Sequence, residues 1–272
     1  MQGIHDFIPT ASKVAYIQEL LKVGFDTLDM GSFVSERMIP QMKDTGEVLR
    51  KLDLSRSNTK LLVIIANEKG AENALDFEEI DYLGFPFSIS EIFQKRNTNS
   101  NINGALKMVD NIKNICEKSG KELVIYISMA FGNPYHEDWS VEIAEYWTDV
   151  MAKKGINIIS LADTIGTSTS ESIEYLMGNL TSAYPKIEIG AHIHTRPDDW
   201  KVKIETAYNN GCRRFDGALM GFGGCPMADD NLVGNMPTEK LDFYFREKGI
   251  DLGLNQEAFT NAMIKARQVF PV

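Results

Sequence analysis

The stretch IEIGAHIH, residues 187–194, is a short and mostly apolar run that ends in two histidines. Six further runs of this kind recur along the chain, and patterns with a helical period separate them. Runs that are apolar throughout are typical of parallel strands buried on both faces. The seven runs are residues 25–30, 60–66, 80–85, 123–131, 156–162, 187–194 and 214–219. The alternation predicts an α/β fold with a parallel sheet, either open or closed into a barrel.

The number of strands and the start of the chain refine this prediction. A closed parallel TIM barrel has eight strands, whereas this chain shows seven and opens with a helical pattern. Thr10 or Ser12 is expected to cap that first helix, and Gly24 to end it. We therefore expect residues 1–272 to form a single catalytic domain, a TIM (β/α)8-type barrel without its first strand.

Composition narrows the class of partner. The 272 residues are 43% hydrophobic and 24% charged, with a formal net charge of −10, so the overall field repels nucleic acid and anionic membranes. No apolar run approaches the roughly 20 residues of a membrane span. The three cysteines form a sparse, odd set that predicts free thiols in a reducing compartment, here the cytoplasm. Unpaired strand edges favour association into a homo-oligomer, without indicating its stoichiometry.

The paired histidines are the strongest chemical signal. Residues i and i+2 of a strand point to the same face, so His192 and His194 are expected to converge at the carboxyl end of their strand. Barrel enzymes keep their active sites at that end. Two imidazoles joined by oxygen ligands suit a divalent cation. The alternative is that one histidine caps a turn and the other packs in the core.

Three further segments place reactive groups at strand ends. The glycine-rich stretch 221–235 carries Cys225, which could reach a substrate as a proton donor. The alternative is a plain long turn with a buried thiol. Asp29 and Asp163 each follow a predicted strand, where a single carboxylate is often only a helix cap. Several such groups at one barrel mouth favour a catalytic site.

Five segments together resemble the 3-hydroxy-3-methylglutaryl-CoA lyase family of TIM-barrel metallolyases, and they occur in the family's order. They are GSFVSERMIPQM (31–42), SISEIFQKRN (88–97), ADTIGTSTS (162–170), HIH (192–194) and GFGGCPMADDNLVGN (221–235). The resemblance implies a lyase that uses Mg²⁺ or Mn²⁺ and cleaves an acyl-CoA or a small hydroxy acid. His192, His194 and Asn235 are the metal ligands that it implies.

The resemblance also implies roles for residues outside the metal site. Cys225 matches the loop cysteine that transfers a proton to the acetyl-CoA enolate, and Asp163 matches the strand-end aspartate. Asp29 stands where these lyases carry a glutamate, and Glu239 matches an acidic residue after the asparagine. His192 is expected to act in proton transfer as well. The substrate is expected to contact Ser32, Lys95, Arg96 and Asn97. The positive charges of Lys95 and Arg96 are expected to offset the acidic surface.

Three departures from the family pattern leave the substrate open. The aspartate that usually follows the second histidine is absent, and residues 131–136 lack the family's cysteine. The Arg-Asp pair that ends the family's first strand is also missing, and with it one metal ligand. The resemblance therefore implies that Met1 is an internal methionine of a longer natural protein. The expected reaction is a retro-Claisen cleavage to acetyl-CoA and a keto acid. The alternatives are a condensing or aldolase-type relative that acts on 2-oxo acids, or an inactive barrel with a binding or structural role.

Overall fold

A computed structural model describes residues 1, 2, 4, 6–223 and 233–270 of the chain. These residues form one parallel sheet whose strands follow chain order, with helices between them. The strands are β1 (Thr27–Ser32), β2 (Lys60–Ile64), β3 (Ile80–Ser88), β4 (Glu122–Ser128), β5 (Ile158–Asp163), β6 (Glu188–Ile193) and β7 (Arg214–Phe215). The helices are α1 (Thr10–Val23), α2 (Thr45–Leu49), α3 (Glu68–Ala74), α4 (Glu91–Thr98), α5 (Ile102–Ser119), α6 (Val141–Lys153), α7 (Ser170–Ala183), α8 (Trp200–Asn209), α9 (Thr238–Glu247) and α10 (Gln256–Val269).

The sheet has the architecture of a TIM barrel with seven of its eight strands, as the sequence predicts. Each strand pairs in parallel with its neighbours in sequence. Within the described ranges, β1 and β7 each pair on one side only, so the sheet is open between them. Helices α1 and α10 pack against each other, and Tyr16 meets Phe270 edge-to-face with ring centroids 5.4 Å apart.

The two faces of the strands bury different sets of side chains. One face packs against the helices and forms the main core, in which Leu61, Phe85 and Ile125 are at most 1% exposed. The other face lines the barrel interior, where the apolar side chains come from β2 to β5. This interior cluster contains Leu62, Ile64, Tyr82, Val124, Tyr126 and Ile158. Continuous apolar strands are therefore required, because both faces exclude water.

Two predictions about where single elements begin or end are wrong. Thr10 is the first residue of α1 and does not cap it; its hydroxyl instead donates to Asp44 Oδ2 at 2.7 Å. Strand β7 ends at Phe215 instead of continuing to residue 219, because Gly217 and Ala218 turn away to pack against residues 236–238. The prediction for Gly24 is confirmed, since it ends α1 with φ of 86°.

Two of the cysteines bear on the predicted reducing compartment. Cys116 and Cys212 are buried free thiols. No helix in the described part of the chain is long and apolar enough to cross a membrane. Whether residues 1–272 form a single catalytic domain stays a prediction.

Phe85 gives a direct test of the core between the sheet and the helices. It is fully buried, so we expect Phe85→Ala to lower the free energy of unfolding by about 3–5 kcal/mol, through lost burial and an unfilled cavity. The matched control is Phe243→Ala, at a side chain that is 46% exposed, for which a change within about 0.5 kcal/mol is expected. Urea unfolding followed by circular dichroism measures both. Equal losses in the two variants would contradict this core.

Candidate active site

The two histidines of the candidate site lie side by side at the carboxyl end of β6. His192 and His194 have ring centroids 5.6 Å apart, as their i and i+2 spacing predicts. His194 is buried, whereas about a third of the His192 side chain is exposed. Burial, followed by the charge of His192, lowers the pKa of His194 to about 3. His194 is therefore neutral at physiological pH, which is the form that binds a metal.

Backbone pairing brings Asn235 to the second histidine. Asn235 forms an isolated antiparallel bridge with His194, and Met236 N–H donates to the carbonyl of Ile193 at 3.2 Å. The Asn235 amide nitrogen donates to the Phe222 carbonyl at 2.9 Å, which orients the side chain. Its amide oxygen is the atom that a hard divalent cation would take. His194 and Asn235, which are 41 positions apart in sequence, thus meet at the barrel mouth.

The ring nitrogens of both histidines are oriented for ligation. His194 Nδ1 lies 3.1 Å from the carbonyl of Val233, and His192 Nδ1 lies 3.2 Å from Asp216 Oδ2. These acceptors leave each Nε2 as the nitrogen with a lone pair. Two imidazoles and one amide oxygen fit a divalent cation whose remaining positions are filled by water or substrate. Among the residues that the structure describes, no three His, Cys, Asp or Glu side chains form a metal cluster, so the donor set depends on Asn235.

Asp29 lies on the interior face of β1, opposite the buried Met30. Its side chain is in contact with water inside the open barrel. The surrounding protein atoms nevertheless reduce the solvation of its charge. This burial raises the pKa of Asp29 to about 7, while His192 lowers it and Asp216 raises it. Such a carboxyl group can exchange a proton near neutral pH, which suits a general acid or base.

Asp163, at the end of β5, holds a loop in place. Its Oδ1 accepts from Thr167 N–H at 2.8 Å, and its Oδ2 accepts from the Ser168 hydroxyl at 2.6 Å. Lys203, which is 96% buried by side chain, pairs with the same Oδ2 at 3.1 Å and donates to the carbonyl of His194 at 3.0 Å. The structure thus shows an anchor that joins the ends of β5 and β6, and a catalytic contact of Asp163 stays a prediction.

Glu239 also stabilises the site, by accepting a hydrogen bond from a backbone N–H. It lies in the first turn of α9, and its Oε2 accepts from Met220 N–H at 2.9 Å. Met220 has φ of 60°, a left-handed conformation that is costly for a residue with a side chain. The contact holds the entry to the glycine-rich loop, of which residues 224–232, including Cys225, lie outside the described residues.

The residues predicted to bind substrate fall into two groups. Lys95, Arg96 and Asn97 lie in the last turn of α4, and the Arg96 guanidinium stacks 4.8 Å from the centroid of the Tyr135 ring. No hydrogen bond or ion pair joins these three to the histidines within the described part of the chain. Ser32 is buried at the end of β1, where its hydroxyl accepts from Val34 N–H at 3.0 Å.

A cleft of about 290 Å³ opens beside Ser32, at the carboxyl ends of β1 and β2. Two lysines that the sequence reasoning missed, Lys43 and Lys69, line this cleft together with Asn67. Lys43 follows the segment PQM and Lys69 lies in α3, so neither shares a periodic pattern with the histidines. Nothing in the sequence signals that the two lysines line one cleft.

Asp216 is the other residue that sequence reasoning missed. It directly follows β7, and its carboxylate contacts His192 on the neighbouring strand. Burial alone would raise the pKa of Asp216, but the hydrogen bond and charge of His192, with Arg214, lower it overall. Alternation could have found Asp216, because residues 214 and 216 face the same side as the histidines once the two strands are known to pair.

Comparisons with known proteins find relatives over almost the whole chain. A family model described as HMGL-like matches residues 1–264. The hydroxymethylglutaryl-CoA lyase YngG of Bacillus subtilis is 28% identical over 256 residues, which cover 94% of this chain and 85% of that protein. The 3-hydroxy-3-isohexenylglutaryl-CoA/hydroxy-methylglutaryl-CoA lyase of Pseudomonas aeruginosa is 27% identical over 255 residues, which cover 94% of this chain and 84% of that protein.

Solved structures show the same likeness. The HMG-CoA lyase of Bacillus subtilis superposes with a TM-score of 0.91 at 26% identity, covering 98% of this chain and 89% of that one. The HMG-CoA lyase of Acinetobacter baumannii, in complex with coenzyme A and 3-methylmalate, gives a TM-score of 0.90 at 26% identity. That match covers 98% of this chain and 87% of that one.

The raised pKa of Asp29 predicts a pH-dependent stability. An unfolded aspartate titrates near pH 4, so between about pH 4 and pH 7 the folded protein holds a proton that the unfolded chain has released. The contribution of Asp29 to the free energy of unfolding therefore falls as pH rises through this window. Asp29→Asn cannot titrate, so its stability relative to the wild type should rise from pH 4.5 to pH 7.5.

Urea unfolding of both proteins at the two pH values measures this effect. A difference in the free energy of unfolding between wild type and Asp29→Asn that stays constant with pH would contradict the raised pKa. Carboxyl ¹³C chemical shifts provide a second, direct reading of the Asp29 titration.

Proposed function

The chain belongs to the HMGL-like family of carbon–carbon lyases, and we propose that it cleaves a thioester resembling 3-hydroxy-3-methylglutaryl-CoA. The expected products are acetyl-CoA and a keto acid. The observation that carries the proposal is the convergence of His192, His194 and Asn235 at the carboxyl ends of the strands. Relatives that are named as lyases of such thioesters support the choice of substrate.

We propose Mg²⁺ or Mn²⁺ as the cofactor, held by His192 Nε2, His194 Nε2 and the amide oxygen of Asn235. The neutral state of His194 and the hydrogen bonds at both Nδ1 atoms support this ligand set. When bound, such a cation polarises the oxygens of the substrate and lowers the pKa of its hydroxyl group.

The protein's own groups then carry the protons of a retro-Claisen cleavage. A base removes the proton from the tertiary hydroxyl, and Asp29 is the candidate because its raised pKa suits proton exchange near neutral pH. His192 is not available for this step in the proposed arrangement, because its Nδ1 faces Asp216 and its Nε2 is a proposed metal ligand. The oxygen's electron pair forms the keto group, and the bond to the α-carbon of the thioester breaks. That carbon keeps the bonding pair as the acetyl-CoA enolate, and Cys225 supplies the proton that completes acetyl-CoA.

Positive charge near the mouth must offset the net charge of −10 for an anionic thioester to bind. We propose that Lys95 and Arg96 contribute this charge from α4, and that Asn97 and Ser32 offer neutral polar groups to the substrate. Lys43 and Lys69 line the cleft beside Ser32 together with Glu36, so the two cations there outweigh one carboxylate. The structure of a relative with coenzyme A bound supports a thioester carrier as the ligand.

The cytoplasm is the proposed location, on the strength of the free thiols of Cys116 and Cys212. Association of copies through the open edges of β1 and β7 stays a prediction.

Product analysis tests the proposed reaction. The protein with Mg²⁺ or Mn²⁺ should convert 3-hydroxy-3-methylglutaryl-CoA or its 3-isohexenyl analogue to acetyl-CoA, and a chelator should abolish the turnover. His194→Ala should lower kcat/KM more than the 10- to 100-fold typical of residues that only support a ligand. The matched control is His136→Ala, on an exposed loop, which should leave turnover unchanged.

Two outcomes would contradict the proposal. Turnover of 2-oxo acids with acetyl-CoA, in place of thioester cleavage, would favour a condensing enzyme with the same metal site. Metal binding without any turnover would favour a barrel with a binding role.

Cys225 provides a separate test of the proton-transfer step. Cys225→Ser should lower kcat by about 10²- to 10⁴-fold, the range typical of general acid catalysis. The Mn²⁺ dissociation constant should stay unchanged, because the thiol is not among the proposed ligands. Unchanged kcat in this variant would remove Cys225 from the mechanism, and weakened Mn²⁺ binding would make it a ligand.

A further inference from the structure

We propose that Asp216 is the positioning residue of His192. By accepting a hydrogen bond from Nδ1–H, it leaves the lone pair on Nε2, the nitrogen that is proposed to bind the metal. The inference rests on the proposed function for its purpose, but the arrangement is a property of the protein without metal. The pair consists of His192 on β6 and Asp216 just beyond β7, with Nδ1 and Oδ2 3.2 Å apart.

Both partners are held by the backbone of the sheet. Asp216 N–H donates to the carbonyl of Ala191 at 3.0 Å, which extends the pairing of β6 and β7 by one residue. The carboxylate therefore stands beside His192 on the interior face. The Ser160 hydroxyl lies 3.2 Å from the same Oδ2 and approaches from β5 on the other side. Three adjacent strands thus fix the position of one carboxylate oxygen.

Arg214 supplies a positive charge beside the Asp216 carboxylate. Its Nε lies 3.8 Å from Asp216 Oδ1, and its Nη1 pairs with Glu188 at 3.1 Å. The side chain is only 9% exposed, and Nε has no hydrogen-bond partner among the described residues. Arg214 Nε is the atom of the guanidinium that forms the ion pair with Asp216. A guanidinium at this distance favours the ionised carboxylate, which can only accept hydrogen bonds.

Gly190 leaves the space that Arg214 occupies. Gly190 lies two residues before His192 on β6, so both face the barrel interior. A Cβ atom at residue 190 would lie 2.8 Å from Arg214 Cδ and 3.2 Å from Ser160 Oγ. A side chain at residue 190 would therefore push the arginine away from Asp216. The glycine in the segment IEIGAHIH is needed for this packing.

The chemistry of imidazole gives the arrangement its purpose. A neutral histidine carries its proton on one nitrogen and a lone pair on the other, and only the lone pair binds a metal. An ionised acceptor at Nδ1 selects the tautomer with Nδ1–H, which directs the lone pair of Nε2 outward. Metal-binding histidines commonly donate to a carboxylate in this way, and loss of that partner typically weakens metal affinity about 10- to 100-fold.

Nuclear magnetic resonance of the metal-free protein tests the proposal directly. Histidine labelled with ¹⁵N reports which ring nitrogen carries the proton, and His192→Gln identifies the signal among the four histidines. Neutral His192 should show Nδ1–H in the wild type and predominantly Nε2–H in Asp216→Ala. Mn²⁺ affinity should fall about 10- to 100-fold in the same variant.

Two further variants separate positioning from folding. Ser160→Ala removes the neighbouring hydroxyl but keeps the carboxylate, and it should retain Nδ1–H on His192. Asp216→Asn keeps the shape of the side chain, and should weaken the preference for Nδ1–H even if the alanine variant fails to fold. Gly190→Ala should shift the tautomer in the same direction, because it displaces Arg214.

The result that overturns the proposal is Nε2–H in the wild type, or Nδ1–H that persists in both Asp216 variants. A tautomer switch in a protein that cleaves no thioester would support the positioning role and reject the proposed reaction. The two conclusions therefore fail separately.

Discussion

Alternation of side chains along β6 is the constraint on which the candidate site depends. Parallel pairing with β5 and β7 holds the strand extended, so residues 190, 192 and 194 face the barrel interior while 189, 191 and 193 pack against the helices. The same pleat that places two imidazoles 5.6 Å apart also anchors them, because Ile189, Ala191 and Ile193 are at least 96% buried. Ligand geometry and core packing are thus two consequences of one strand.

The barrel interior is divided between an apolar and a polar half. Strands β2 to β5 fill their half with the cluster around Leu62 and Val124. On the other half Asp29, Asp216, Arg214 and His192 share a space that remains open between β1 and β7. A charged group costs much less free energy when it has partners and access to water. The division explains why ionisable groups collect beside the open edge and not within the closed side.

Two ionisable side chains secure the loops at the carboxyl ends of the strands. Lys203 ties the ends of β5 and β6 through Asp163 and the His194 carbonyl, and Glu239 holds the left-handed Met220. Lys203 donates to a buried carboxylate and a backbone carbonyl, and Glu239 accepts from a backbone N–H. Leaving such groups unpaired would cost considerable free energy. Residues that a family motif marks as catalytic can therefore also be needed for the shape of the mouth, and activity alone does not separate these two roles.

The class of fold, the seven strands and the placement of His192 and His194 on one face of a strand are predictable from the amino-acid sequence alone. Local periodicity and alternation are enough for these, since they depend on residues close together in the chain. The sequence also pointed to Asn235, through a motif. Three other features become visible only in the folded chain: Asp216 contacts His192, Lys43 and Lys69 line one cleft, and β7 stops at Phe215. These contacts depend on which strands and loops become neighbours, and no pattern within a single segment records that.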